Sequence, residues 1–210
     1  MSNESLSRED VAAPPAGLAE EVAQKRALRR TLRAWLASVS PAERAAAGDA
    51  AAARLAALPV YRSARRLAVY WAMPDEMPTA PLIRRAWEDG RELAIPAWDA
   101  ATRSYRLAHF EADLPLERGP HGIPQPAQPR WMSHATIELW VVPGLAFSMA
   151  GVRLGRGGGW YDRLLAGVSA PRVGWALEGQ IQAELPAASH DVRMHWIVTE
   201  RRVIECACRT

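Results

Sequence analysis

The sequence predicts an α/β fold: a single-domain sandwich with a mostly parallel central sheet flanked by helices. Three observations predict it. A strand–helix–strand run occupies residues 66–96, further buried-type apolar runs lie at 137–143, 172–177 and 195–199, and no internal repeat is present. A chain of 210 residues fills one core. Residues 20–210 therefore read as one domain behind a mobile tail over 1–19, rich in Ser, Ala, Pro and Glu.

Val22, Leu28, Leu32, Trp35 and Leu36 fall at helical spacing and predict a first helix from about residue 20 to 37. Ser40-Pro-Ala-Glu43 opens a second, with an N-cap serine, a first-position proline and a glutamate three residues after the cap. That helix should stop before Pro59, so two helices precede the first strand, at 66–72. Pro74-Asp-Glu-Met-Pro78 is a loop, and Thr79 caps a helix through Trp87 that ends at Gly90. A strand over 92–96 completes a parallel βαβ unit, and 105–110 forms another. Residues 119–129, with four prolines, read as a long loop. The strand at 137–143 should enter a glycine-rich loop directly, and a helix from about 159 to 166 should follow. Cys206 and Cys208 read as small residues closing a last strand, since C-x-C alone gives neither a metal set nor disulfide geometry.

Composition limits the partners. No apolar run approaches the ~20 residues that span a bilayer, and the acidic start lacks the basic n-region of a signal peptide, so a cytoplasmic protein is expected. Net charge is +3, from 26 basic against 23 acidic residues, and Lys25 is the only lysine. That excess is too small and dispersed for nucleic acid. It suits small polyanions gathered in one cleft; a monomer is expected.

The glycine loop Arg153-Leu-Gly-Arg-Gly-Gly-Gly-Trp-Tyr-Asp162 carries the chemistry. Gly155, Gly157, Gly158 and Gly159 let a backbone approach a ligand closely, and successive amides in such a turn form an anion-binding concavity. Arg153 and Arg156 supply forks suited to phosphate oxygens, and Asp162 a hard oxygen donor for Mg²⁺. Neither G-x-x-x-x-G-K-[ST] nor the dinucleotide fingerprint is present, since Trp160 stands where the latter needs its third glycine.

The wider block Pro143-Gly-Leu-Ala-Phe-Ser-Met-Ala-Gly-Val-Arg-Leu-Gly-Arg-Gly-Gly-Gly-Trp-Tyr-Asp-Arg163 resembles the P-G-x-x-F-D-x-x-G-x-R-L-G-x-G-x-G-[YF]-Y-D signature of the 5-formyltetrahydrofolate cyclo-ligase family. Lys25-Arg-Ala-Leu-Arg29, Asp75-Glu76, Gly122-Ile-Pro-Gln-Pro126 and His190-Asp191 match in the same order, so the resemblance covers about residues 20–204. It implies a fold similar to the sugar-phosphate isomerase and CoA-transferase group. It also implies ATP- and Mg²⁺-dependent closure of 5-formyltetrahydrofolate to 5,10-methenyltetrahydrofolate, with release of ADP and phosphate, through an iminium phosphate.

Carried over residue by residue, the resemblance puts Lys25 and Arg29, one helical turn apart, on the ATP phosphates. Residues Arg153, Leu154, Gly155, Arg156, Gly157, Gly158, Gly159, Trp160 and Tyr161 wrap the nucleotide. Arg153, Arg156 and Asp162 act on the transferring phosphoryl group, and Asp162 and Asp191 hold magnesium. Glu76 takes the reduced folate, with Trp71, Trp98 and Tyr161 as pocket wall. Ser148 departs from the pattern, standing where the family carries aspartate. If that aspartate only shapes the turn towards Gly151, serine replaces it by accepting backbone N–H groups; if it supplies charge near the metal, activity falls. Gly158 replaces a lysine of some members, and Trp160 replaces Tyr or Phe. The runner-up reading is a diverged module that binds nucleotide or folate without turnover. A third is an RNA-binding role for the arginine-rich first helix, disfavoured by the lack of an aromatic stacking motif.

Overall fold

The computed structural model describes residues 16–187 and 191–207. Helix α1 (Ala16–Ser38) starts four residues before the expected boundary, and residues 1–15 of the expected tail lie outside the described residues. Helix α2 (Pro41–Ala57) opens as its sequence dictates. Glu43 N–H donates to Ser40 Oγ at 3.2 Å, and Ser40 N–H to Glu43 Oε2 at 2.9 Å. Pro59 does not end helical structure before the sheet. It becomes the first residue of a third helix, α3 (Pro59–Ser63), because its missing N–H costs nothing at that position.

Strand β1 (Arg66–Ala68) is shorter than the apolar run 66–72 suggested. Beyond it the chain turns out of the sheet into a loop that closes on itself. Tyr70 hydroxyl donates to the Met77 carbonyl at 2.8 Å, and Thr79 Oγ1 donates to the Tyr70 carbonyl at 2.8 Å. Thr79 therefore precedes α4 (Ala80–Glu88) without capping it through its side chain, contrary to expectation. Gly90, at φ +69°, turns the chain into β2 (Glu92–Asp99), which pairs with β1 in parallel.

β2 folds back antiparallel on β3 (Ser104–Phe110). The proline-rich stretch expected as a plain loop contains a small hairpin, β4 (Leu116–Arg118) with β5 (Pro124–Pro126). After β6 (Trp131–Met132), strand β7 (Leu139–Val142) is buried at every residue. It does not run straight into the glycine loop, because an antiparallel hairpin of β8 (Ala146–Ser148) and β9 (Arg153–Leu154) intervenes. Helix α5 (Trp160–Leu164) is only five residues long. β10 (Arg172–Trp175), β11 (Ile181–Gln182), β12 (Trp196–Val198) and β13 (Val203–Glu205) follow.

Among the described residues the main sheet has the order β13-β12-β10-β7-β1-β2-β3-β6. Its five inner strands, β12 to β2, are parallel, and the antiparallel pairs lie outside them. Alternation along β7 shows why it is apolar throughout. Leu139 and Val141 pack into the core beneath α1, α2 and α4, whereas Trp140 and Val142 pack on the opposite face with Phe147, Leu164 and Ile197. Each such fully buried side chain contributes roughly 1.5–3 kcal/mol of transfer free energy. Cys206 is buried just past β13, and Cys208 lies outside the described residues. No described helix is long and apolar enough to cross a membrane.

Candidate active site

Ligand sites in open parallel sheets lie beyond the carboxyl ends of the strands. Here β1 and β7 are parallel neighbours, and the segments leaving them, 69–79 and 143–159, form two walls of one cleft of about 460 Å³. Helix α1 supplies a third side with Lys25 and Arg29, and Asp191 closes the rim.

The glycine loop is held from two directions. Arg29 Nε donates to the Gly155 carbonyl at 2.9 Å, and Arg33 Nη2 to the Arg156 carbonyl at 2.9 Å. Two successive carbonyls thus face α1. Gly157 has φ +103°, and Gly159, the residue before α5, has φ +65°, both left-handed conformations that an L side chain resists. At Gly158 the limit is space, since a Cβ would stand 2.8 Å from the Trp160 ring. With one and a half turns, α5 adds little helix dipole, and the anion-binding character rests on loop and side chains.

Side-chain charges are arranged in three clusters around the cleft, centred on Lys25, Arg153 and Arg156. Lys25 Nζ lies 3.2 Å from Asp191 Oδ2 and 2.7 Å from Glu21. Burial acts to lower the Lys25 pKa, but hydrogen bonds to Glu21 and Asp191 outweigh it and the net shift is upward. Arg29, mainly through burial and then through Arg33, is lowered from the ordinary arginine value. Arg153 pairs with Asp162, donates to the Pro143 carbonyl at 3.2 Å and lies 5.8 Å from the Tyr161 ring centroid.

Arg156 also lines the cleft. Its guanidinium is committed to carboxylates: Nη1 and Nη2 reach both oxygens of Asp75 at 3.0 and 2.8 Å, and Nε reaches Glu76 Oε1 at 3.0 Å. Glu76 Oε2 also accepts the Met73 N–H at 2.9 Å. Burial raises the Glu76 pKa, against the opposing pull of Arg156 and the Met73 N–H.

Trp71 and Tyr161 line the cleft. Trp98 does not: it stands behind the wall, edge-on to Trp160 at 5.6 Å and to Tyr105 at 5.3 Å, and Tyr105 lines in its place. Tyr70, Met73, Tyr105 and Ile123 are lining residues to which sequence reasoning assigned no role; of the four only Ile123 stands in a matched motif, Gly122-Ile-Pro-Gln-Pro126. Ser148 is 2% exposed and lies outside the lining; its Oγ accepts the Val152 N–H at 3.3 Å, across the turn at Gly151. His190 lies outside the described residues.

Asp162 and Asp191 both line the cleft, paired there with Arg153 and Lys25. No group of three or more His, Cys, Asp or Glu converges among the described residues. That donor set fits magnesium carried with phosphates, which takes one or two carboxylates and completes its shell with phosphate oxygens and water. It does not make a self-sufficient protein cage.

Residues 21–200 match the model of the 5-formyltetrahydrofolate cyclo-ligase family. The chain is 28% identical over 195 residues to a probable 5-formyltetrahydrofolate cyclo-ligase of Caenorhabditis elegans, covering 86% of this chain and 94% of that protein. It is 27% identical over 174 residues to the 5-formyltetrahydrofolate cyclo-ligase of Escherichia coli (strain K12), covering 80% and 96%. The NMR structure of Aquifex aeolicus 5,10-methenyltetrahydrofolate synthetase superposes with a TM-score of 0.78 at 27% identity, over 89% of this chain and 94% of that one.

Proposed function

This chain belongs to the 5-formyltetrahydrofolate cyclo-ligase family, and from that premise we propose that it closes 5-formyltetrahydrofolate to 5,10-methenyltetrahydrofolate at the expense of ATP. The observation that carries the proposal is the cleft itself: a glycine loop with Arg153, Lys25 and Arg29 beside it shares one space with the buried carboxylate of Glu76.

The chemical need for ATP is that a formyl oxygen attached to an amide-like carbon is a poor leaving group. In the proposed reaction that oxygen attacks the γ-phosphorus, the bond to ADP breaks, and an iminium phosphate results. N10 then bonds to the former formyl carbon, the C–O bond to phosphate breaks, and N10 loses its proton. The products are 5,10-methenyltetrahydrofolate, ADP and phosphate.

In this reading Lys25, Arg29 and Arg153 hold the triphosphate, and the loop amides between 155 and 159 lie along it. Charge dispersed over the transferring group favours such fixed donors, because positioning and electrostatics supply most of the catalysis in phosphoryl transfer. Arg156 lines the same cleft, with its side chain on Asp75 and Glu76 and its backbone in the loop along the nucleotide. Magnesium arriving with ATP would be held by Asp162 and Asp191, supplying positive charge at the phosphates. Glu76 presents carboxylate lone pairs suited to a pterin amino group and ring N–H, with Trp71 and Tyr161 as apolar walls.

The reading is tested by near-ultraviolet absorbance of the methenyl product. A signal should develop only when 5-formyltetrahydrofolate, MgATP and protein are all present; its absence from folded protein overturns the proposal. The alternative, a binding module without turnover, would instead show ligand binding by calorimetry with no product, and turnover restored by Ser148→Asp.

A further inference from the structure

Arg156 joins two loops that serve different substrates in the reaction proposed above. It belongs to the glycine loop, where Arg33 holds its carbonyl at 2.9 Å, while its side chain reaches into the loop that follows β1. All three guanidinium nitrogens are engaged there, two by Asp75 and one by Glu76. A planar fork held bidentately by one carboxylate has lost most of its rotamer freedom, so its remaining N–H points in a fixed direction. That direction is the Glu76 carboxylate, whose other oxygen the Met73 N–H fixes. Asp75 is thus the outer anchor of the chain Asp75–Arg156–Glu76. Its side chain is 35% exposed against 10% for Glu76, and it is not among the residues lining the cleft.

We propose that Asp75 is a positioning residue that, through Arg156, couples the nucleotide and folate sites. Nucleotide that orders the glycine loop fixes the backbone of Arg156; Arg156, steadied by Asp75, fixes Glu76 in the orientation that receives reduced folate. The coupling is reciprocal, because a change in one ligand's affinity caused by the other must be matched in reverse. This proposal rests on the reading of the cleft as adjoining nucleotide and folate sites. A merely structural ion pair would alter stability, or either affinity alone, and leave untouched the factor by which each ligand changes the other's affinity.

The test measures the dissociation constant of 5-formyltetrahydrofolate by calorimetry on the full chain, with and without a non-hydrolysable ATP analogue and magnesium. In the wild-type chain the analogue tightens folate binding about fivefold or more, and folate tightens the analogue equally. In Asp75→Asn that factor falls towards one, while the analogue alone binds within about twofold of wild type. Asp75→Glu restores part of the coupling. Arg156→Lys, which keeps the charge without the fork, loses it as Asp75→Asn does. Undiminished coupling in Asp75→Asn or Arg156→Lys overturns the proposal. So does a wild-type chain that binds both ligands independently, and that result leaves the cyclo-ligase reading standing. A wild-type chain that binds neither ligand overturns both.

Discussion

Lys25 donates to Asp191 at 3.2 Å although 166 residues separate them in the sequence. Glu21, one turn earlier on α1, holds the same ammonium at 2.7 Å. These partners raise the Lys25 pKa above 10.5 despite partial burial, so the folded protein keeps the charge at neutral pH. The stability this contributes is complete below 10.5 and is lost as pH climbs through the raised native value.

Lys25→Met should therefore weaken nucleotide binding. A charge-assisted hydrogen bond contributes about 1.5–3 kcal/mol, which corresponds to about ten- to a hundredfold in affinity. Calorimetry with the ATP analogue checks this, and unchanged affinity would remove Lys25 from the phosphate site.

Asp162→Ala tests the metal assignment. The variant should fold, because Arg153 keeps its bond to the Pro143 carbonyl. The magnesium concentration giving half-maximal rate should rise about tenfold or more, since loss of even an outer partner of a metal ligand costs about ten- to a hundredfold. Wild-type rates at an unaltered magnesium requirement would refute the assignment.

Glu76 sets an acid limit. Its native pKa lies above 4.5, with burial as the main cause. Its ionised form is therefore lost at a higher pH than that of an exposed glutamate. Across the window from 4.5 to the native value, the group's contribution to folding stability falls as pH rises. The folate kcat/KM should move the other way and decline on acidification through the native pKa. Glu76→Gln should lower kcat/KM and flatten that acid limb; a limb that persists would belong to another group.

Ser148→Ala should cost about 1 kcal/mol in denaturant unfolding, the loss of one buried hydrogen bond, with little change in turnover. A fall in activity without a fall in stability would place Ser148 in the chemistry.

Legibility followed range along the chain. The α2 capping box was readable because Ser40 and Glu43 are three residues apart, and the glycine loop because its special residues are contiguous. The early exit of the chain after Ala68 was hidden: Tyr70 is apolar enough for a strand, and only its bonds to Met77 and Thr79 take it out of the sheet. The β4–β5 hairpin was hidden by prolines, which lack the N–H groups expected of a ladder. In the site, family resemblance supplied Glu76 and Asp191. The partner of Arg156 could not be read, because 80 and 81 residues separate it from Glu76 and Asp75. Trp98 and Tyr105 face each other across the β2–β3 hairpin, and no spacing rule tells which of them meets a ligand.

The contact between α1 and Asp191 also bears on when the protein becomes competent during synthesis. Chains emerge from the amino end at about 5–20 residues per second. A growing chain therefore exposes the complete glycine loop before the carboxylate facing Lys25 has been made. Activity should thus wait until residue 191 has been made and brought back to a helix synthesised 166 residues earlier. A ribosome-stalled chain ending near residue 185 should accordingly contain every glycine of the loop and yet be inert.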